Sequence, residues 1–269
     1  MFNGYYYETF FYESIRSKLK DLNLADYQKS ELFNFSYYDC GFVDKDIVEI
    51  GSDLELNTAM GIRRLGAKKV LCFNPDFPDD LVSPDARVFI SKRDGADTGL
   101  PNNSVDVVFG FALLEHTQEP QKMVEEIKRI LKPQGIAYLE GCPIWSGPVG
   151  HHVWHQFPDK FYKFSDETNP FSMWEHLYYD TEEQIETALR GKGLPEVHSK
   201  SIADFIINST FISRKKASDI IREVSSVEGL EINIRTSPME DQVVPEDLLG
   251  KYSMEDLNTY KMKIRLRKW

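Results

Sequence analysis

Residues 94–141 read DGADTGLPNNSVDVVFGFALLEHTQEPQKMVEEIKRILKPQGIAYLEG, and this stretch decides the fold. A polar loop closes on Asn102-Asn103-Ser104. Residues 105–109 then form an apolar run whose one charge, Asp106, stands near its entry. That is the pattern of a strand buried on both faces. After a short loop, Met123, Val124, Ile127, Ile130 and Leu131 recur at spacings of three, four and seven, which puts them on one face of a helix over residues 120–131. Lys132, Pro133 and Gly135 supply a cation and helix breakers at its end. Residues 136–139 are a second short apolar strand. Strand, helix and strand at this spacing predict a parallel βαβ unit.

Working outward, residues 46–51 (DIVEIG) read as a buried strand, residues 56–65 as a helix closed by Gly66, and residues 69–73 as the next strand. Alternation of short strands with helices predicts an α/β chain with a doubly wound, mostly parallel sheet and helices on both faces. Downstream, residues 142–180 show no periodicity and read as a long loop rich in Trp, Phe and Tyr, too aromatic for disorder. Thr181 with the acids after it opens a helix to about residue 190. Residues 196–202 read as a strand, 205–224 as helical, 230–234 as a short strand. Residues 260–268 (YKMKIRLRK) alternate Met262, Ile264 and Leu266 with basic residues and read as a half-exposed strand. The first 40 residues carry many rings, among them Tyr5, Tyr6, Tyr7, Phe10, Phe11 and Tyr12. Residues 14–22 there have helical spacing, and the segment is expected to pack on the sheet or, alternatively, to cover a site.

The order of motifs carries a resemblance. An acid at 94, an Asn-Ser turn, VDVVF at 105–109, LLEH at 113–116 and IKRILKPQG at 127–135 are together very similar to class I S-adenosylmethionine-dependent methyltransferases. Within that class the chain resembles the large group acting on small molecules, glycans and lipids. The likeness covers about residues 47–141 and returns weakly near the C-terminus. It implies a Rossmann-like sheet with an antiparallel last strand, S-adenosyl-L-methionine as cofactor, and a cofactor set of Glu49, Gly51, Asn74, Asp94, Gly95 and Phe111. Asp94-Gly95 would meet the adenine. Two positions depart from the family pattern. The nucleotide loop keeps only its first glycine, Gly51, with Asp53 and Glu55 where the second and third would stand. The second strand ends in Asn74 rather than an acid, with Asp76 two residues on as a substitute for the ribose hydroxyls. Glycines there let backbone approach ligand, and two carboxylates add bulk and negative charge near the expected methionine carboxylate.

Four histidines are candidate bases because their ordinary pKa lies near neutrality. His116 lies in the loop that, in the family, sits beside donor and acceptor. His151, His152 and His155 fall in the densest chemistry of the long loop, GHHVWH at 150–155. Glu175, His176 or Asp180 could complete a metal shell with them, but no recognised metal spacing is present. No metal is therefore expected, and the imidazoles should hydrogen-bond a substrate or each other.

Bulk properties narrow the class. The 269 residues, 41% hydrophobic, suit one domain: a cap over 1–40, a cofactor-binding core over 41–141, an active-site loop over 142–180, and an insertion or lid over 203–258 that could instead be a homodimer surface. A net charge of −11 argues against nucleic acid. No apolar run approaches the length of a membrane span. Three scattered cysteines suit a reducing cytoplasm. The expected function is methyl transfer to an oxygen or nitrogen of a small molecule or glycan precursor. The alternative is the same fold without methyl transfer, serving as a ligand-binding or scaffold protein or running different chemistry.

Overall fold

A computed structural model describes residues 4–39, 41–82 and 87–269. The central strand β1 (Asp46–Ile50) is flanked in parallel by β2 (Lys69–Phe73) and β5 (Val105–Gly110), with Val48 opposite both Leu71 and Val108. Beyond β2, β4 (Val88–Ser91) runs parallel and the short β3 (Leu81–Val82) antiparallel at the edge. Beyond β5, β6 (Leu131–Gly141) is parallel, and β10 (Lys261–Lys268) is antiparallel to it, the expected reversed last strand. β9 (Leu230–Ser237) closes the other edge against β10, giving the order β3-β4-β2-β1-β5-β6-β10-β9. The lone charge of β5 has a use: Asp106 accepts from the Asp46 N–H at 2.9 Å and pairs with Lys132 at 2.8 Å, tying three strands together at their entry end.

Both faces of the sheet are covered, as continuous apolar strands require. On one face α4 (Pro120–Ile130) and α7 (Ala217–Ser225) bury Met123, Val124, Ile127, Ile220 and Val224. On the other, α1 (Gly4–Lys20), α2 (Asp26–Tyr38) and α3 (Asn57–Arg64) contribute Ile15, Leu19, Leu32, Phe35, Ala59 and Ile62. The described N-terminal residues thus pack on the sheet: Phe35 stands edge-on to Phe109, and Tyr12 edge-on to Phe33. The side chains of Tyr5, Tyr6, Tyr7, Phe10 and Phe11, and all of Cys40, lie outside the described residues. Cys72 and Cys142 are free thiols, and no helix among the described residues is long and apolar enough to cross a membrane.

After β6 the chain builds a second, smaller core. The hairpin β7 (Trp154–Gln156) and β8 (Phe161–Lys163) sits where a long loop without strands was expected. Val153, Tyr162 and Phe171 pack against Ile185 and Leu189 of α5 (Glu182–Gly191) and Ile202 and Ile206 of α6 (Glu196–Asn208). Thr181 caps α5 as expected, accepting from the Gln184 N–H. Two expectations fail here. Residues 196–202 are helix rather than strand, because the buried face is His198, Ser199, Ile202, Ala203 and Ile206, whose polar members hide the helical period. The expected helix over 205–224 is broken: α6 ends at Asn208 and α7 begins at Ala217. The short helix α8 (Met254–Asn258) leads into β10.

Candidate active site

A cavity of about 690 Å³ opens at the carboxyl ends of β1, β2, β4 and β5. Open α/β sheets bind ligands on this side, and the volume falls within the usual range for small-molecule sites. Two glycines shape it. Gly51 leaves β1 with φ +72° while its N–H donates to the Phe73 carbonyl at 2.8 Å, a conformation that favours glycine. Gly95 packs so closely on Ile50 that a Cβ would stand 2.2 Å from Ile50 Cγ2. Ile50, Phe73, Ala96, Leu113 and Met123 supply apolar wall. Asp53, Asp76, Asp94 and Glu119 supply four carboxylates, and no Lys or Arg among the described residues borders the cavity.

Of the six expected cofactor residues, Gly51, Asn74, Asp94 and Gly95 line this cavity, whereas Glu49 and Phe111 stand behind its wall. Burial pushes the Glu49 carboxyl up to about 8, and Cys72 Sγ lies 3.7 Å from it as a donor. Phe111 packs edge-on against Phe109 in the core. Asn74 Nδ2 donates to the Ser52 carbonyl at 2.9 Å, and its Oδ1 accepts from the Asp76 N–H at 2.8 Å. Asp94 Oδ1 accepts from the Ala96 N–H at 2.7 Å, closing a turn, and its carboxylate is otherwise exposed at the rim.

The acids that replace glycines are turned toward α3. Asp53 Oδ1 accepts from the Asn57 N–H at 3.0 Å and Oδ2 from the Thr58 N–H at 3.3 Å. Glu55 is exposed and accepts from Asn57 Nδ2 at 3.0 Å. A carboxylate at a helix N-terminus satisfies first-turn amides and is favoured by the helix dipole. This helix end is therefore already occupied by a side-chain anion.

The histidines separate sharply. Only His116 lines the cavity. Its Nδ1 lies 2.7 Å from the Phe211 carbonyl, and its pKa is lowered by burial against the opposing effect of that carbonyl. His151 is buried with its pKa well below the ordinary value through desolvation; its Nδ1 accepts from the Val153 N–H at 3.2 Å, and Nε2 has no hydrogen-bond partner among the described residues. His155 is half-buried, 3.0 Å from Ser201 Oγ, with its ring tilted against that of Phe157 at 4.9 Å. His152 is buried, and desolvation holds its pKa at about 3; its Nδ1 lies 3.0 Å from the Gly150 carbonyl. Its ring stands 5.2 Å from that of His116.

The fold adds residues the sequence did not single out. Ser209, Thr210 and Phe211, in the connection between α6 and α7, form the wall facing His116. Gln118 holds that connection, its Nε2 donating to the Thr210 and Ile212 carbonyls at 2.9 and 3.0 Å. Glu115, next to His116 in the chain, is 2% exposed. Burial pushes its carboxyl up to about 8 although the Cys142 backbone offers some relief. Neither carboxylate oxygen makes a hydrogen bond of ordinary geometry. Nothing in residue spacing forecasts the approach of Glu115 to His152, which depends on how the segment after β6 folds back.

Residues 70–139, from β2 through most of β6, match the family model described as a methyltransferase domain. The chain is similar to an uncharacterized methyltransferase of Mycobacteroides abscessus, 34% identical over 68 residues, which are 25% of this chain and 26% of that protein. It is 29% identical over 102 residues to an uncharacterized methyltransferase of Mycolicibacterium vanbaalenii, covering 35% and 36% of the two chains. The matched segments thus span only about a quarter to a third of these relatives. A solved S-adenosylmethionine-dependent methyltransferase of Mesorhizobium loti overlays on 90% of this chain and 97% of its own at 10% identity and a TM-score of 0.48. The segment that matches the family model carries β4, β5, α4 and three residues of the cavity, Asp94, Gly95 and His116, so the likeness to a methyltransferase domain reaches the candidate site.

Proposed function

We propose that the chain is an enzyme that transfers a methyl group from S-adenosylmethionine to an oxygen or nitrogen of a small molecule or glycan precursor. The observation that carries this reading is the charge of the cavity: four carboxylates line it and no cation among the described residues does. S-adenosylmethionine bears a sulfonium and an ammonium against one carboxylate, so this field favours it. The apolar wall of Ile50, Phe73, Ala96 and Met123 suits an adenine ring. Asp94, with one oxygen committed to its own turn, has the other for an exocyclic amine. Asp53, already bound to the α3 amides, stays fixed away from the ligand carboxylate.

Bound S-adenosylmethionine would supply an electrophilic methyl group; the chain would supply alignment and a destination for the acceptor's proton. Among the four candidate histidines, His116 is the one at the cavity, between the cofactor residues and the Ser209–Phe211 wall. It is proposed as the activating group on the acceptor side. Residues 203–258 serve in this reading as an insertion whose Ser209–Phe211 connection covers the acceptor. The free thiols Cys72 and Cys142 suit a cytoplasmic setting.

Calorimetric titration with S-adenosylmethionine tests the reading. Saturable one-site binding, weakened by Asp94→Ala on the order of tenfold or more, is expected for loss of a charged hydrogen-bond partner. The commitment of the Asn74 amide to Ser52 and Asp76 favours a second reading, a ligand-binding protein of the same fold without turnover. Binding of a nucleoside without methyl release in the presence of diverse alcohols and amines would favour that second reading.

A further inference from the structure

We propose that Glu115, His116 and His152 form a site for a divalent transition-metal ion, zinc by preference, at the acceptor end of the cavity. One carboxylate oxygen and one ring nitrogen from each histidine lie within 4.8 Å of one another. The two rings are prepared as ligands. Nδ1 of His116 lies 2.7 Å from the Phe211 carbonyl and Nδ1 of His152 3.0 Å from the Gly150 carbonyl. A carbonyl only accepts, so each Nδ1 carries the proton and each Nε2 keeps its lone pair. Orientation of a ligating imidazole by a backbone carbonyl on its far nitrogen is the usual outer support of metal sites.

The carboxylate is the second, independent observation. Glu115 is 2% exposed, and among the described residues neither of its oxygens makes a hydrogen bond of ordinary geometry; the Cys142 backbone and the Lys261 charge give partial relief that leaves the effect of burial dominant. A buried carboxylate so weakly supported is costly unless a cation or metal faces it. The fold makes room for it: a Cβ on Gly141 would stand 2.8 Å from Glu115 Oε2 and 2.5 Å from Leu114 Cβ. His152 is held at φ +52°, a left-handed conformation uncommon for a residue with a side chain. Backbone in this region costs on the order of 1–3 kcal/mol and concentrates at ligand and active sites.

Two imidazoles and a carboxylate suit zinc or a neighbouring first-row ion; magnesium and calcium prefer oxygen-rich shells. Three protein ligands leave a coordination position open, as in catalytic rather than structural zinc sites. Ligand atoms around zinc at about 2.0–2.2 Å stand closer together than 4.8 Å, so loading would draw the three groups inward. Because His116 borders the cavity while Glu115 and His152 lie behind it, the open position faces the acceptor side. An acceptor hydroxyl bound there would release its proton to the water of the open cavity more readily, as metal-bound water does, since both His116 nitrogens are then committed. His116 then activates the acceptor through the ion. The ion site itself stands whether or not the cavity takes S-adenosylmethionine.

The test titrates zinc into chelator-stripped full-length protein against a competing indicator dye, and separately records the cobalt(II) absorption spectrum. The proposal expects one zinc per chain, no comparable magnesium binding, and visible cobalt bands of a four- or five-coordinate nitrogen–oxygen site. Glu115→Gln, His116→Ala and His152→Ala should each weaken zinc by about a hundredfold or more, while His155→Asn should leave it unchanged. Absence of stoichiometric zinc in the wild type, equal loss in His155→Asn, or retention of affinity in the three ligand variants would overturn it. Should a ligand variant fail to fold, the wild-type cobalt spectrum decides, and a six-coordinate spectrum like that of the hydrated ion overturns the site. Titration of S-adenosylhomocysteine into the stripped protein keeps the two readings apart: nucleoside binding without zinc rejects the ion site alone, and zinc without nucleoside rejects the proposed transferase alone.

Discussion

Asp53 and Glu115 are carboxylates on loops that leave neighbouring strands of one sheet, and they meet opposite conditions. Asp53 is half-exposed, and both its oxygens accept backbone amides at the start of α3. Glu115 is buried a few residues beyond β5, and among the described residues neither oxygen makes a hydrogen bond of ordinary geometry. The first acid is consumed by the fold: it stabilises a helix end and takes the position where glycine would let backbone approach a ligand. The second is a liability to the fold unless something outside the chain faces it. Thus the acid that looked most disruptive in sequence is structurally accounted for, and the one that looked like part of a common motif is not.

The contrast can be broken most forcefully at Glu115. Its folded pKa is about 8 against 4.5 for an ordinary glutamate, raised mainly by desolvation. The unfolded chain ionises first, so metal-free protein is most stable below the lower value and loses stability as pH rises from about 4.5 toward 8. Glu115→Gln should therefore stabilise chelator-stripped protein at pH 8 by about 2–5 kcal/mol, with little gain at pH 4.5, as read by urea unfolding at the two pH values. Glu49, also raised to about 8 by burial, should remain in that variant as a smaller residual pH dependence. Equal effects of Glu115→Gln at both pH values would mean the carboxylate is partnered in solution after all.

Next in size is His116→Ala. Methyl transfer assayed by S-adenosylhomocysteine release should fall by roughly a hundredfold, with S-adenosylmethionine affinity nearly kept. His155→Asn, directed to Ser201 away from the cavity, should keep turnover within a few-fold. If the two behave alike, the acceptor end has been misplaced.

Asp53→Ala should cost about 1 kcal/mol of stability through the lost helix-end contacts. It should also weaken S-adenosylmethionine slightly, since one of the four cavity acids is gone. Tighter binding would show that Asp53 does oppose the ligand carboxylate, as expected from its position in the altered glycine loop. Smallest is the preference for S-adenosylmethionine over S-adenosylhomocysteine. The acidic cavity should favour the sulfonium a few-fold at low salt, and the preference should shrink toward 1 M salt as charges are screened.

The core was legible because its strands are short apolar runs between helices with clear faces. The runs around Ile47, Val70 and Val107 could be read from residues alone, and so could the α4 stripe of Met123, Val124 and Ile127. Illegible parts share a cause: polar residues placed inside. His198 and Ser199 on the buried face of α6 made a helix read as a strand. Among the histidines, residue type nominated four, but only the folded path of residues 142–152 decides which reach Glu115. Cavity-lining Ser209–Phe211 has no mark in sequence beyond following a helix, because its contribution is a wall of backbone and one exposed ring.

The connection from α6 to α7 is fastened to the loop after β5 at four points. Gln118 holds the Thr210 and Ile212 carbonyls, His116 holds that of Phe211, and the Ser213 N–H donates to the Glu115 carbonyl at 2.8 Å. Each such bond is worth only about 0.5–1.5 kcal/mol net, yet all four must part for this wall to swing away. The cost appears as residence time: a molecule enclosed behind the wall leaves at a rate set by that joint opening. Gln118→Ala removes two of the four fastenings without altering Glu115, His116 or His152. It should shorten ligand lifetimes several-fold while altering association little, the usual division between the two rates. Turnover would then rise wherever product departure is the slow event.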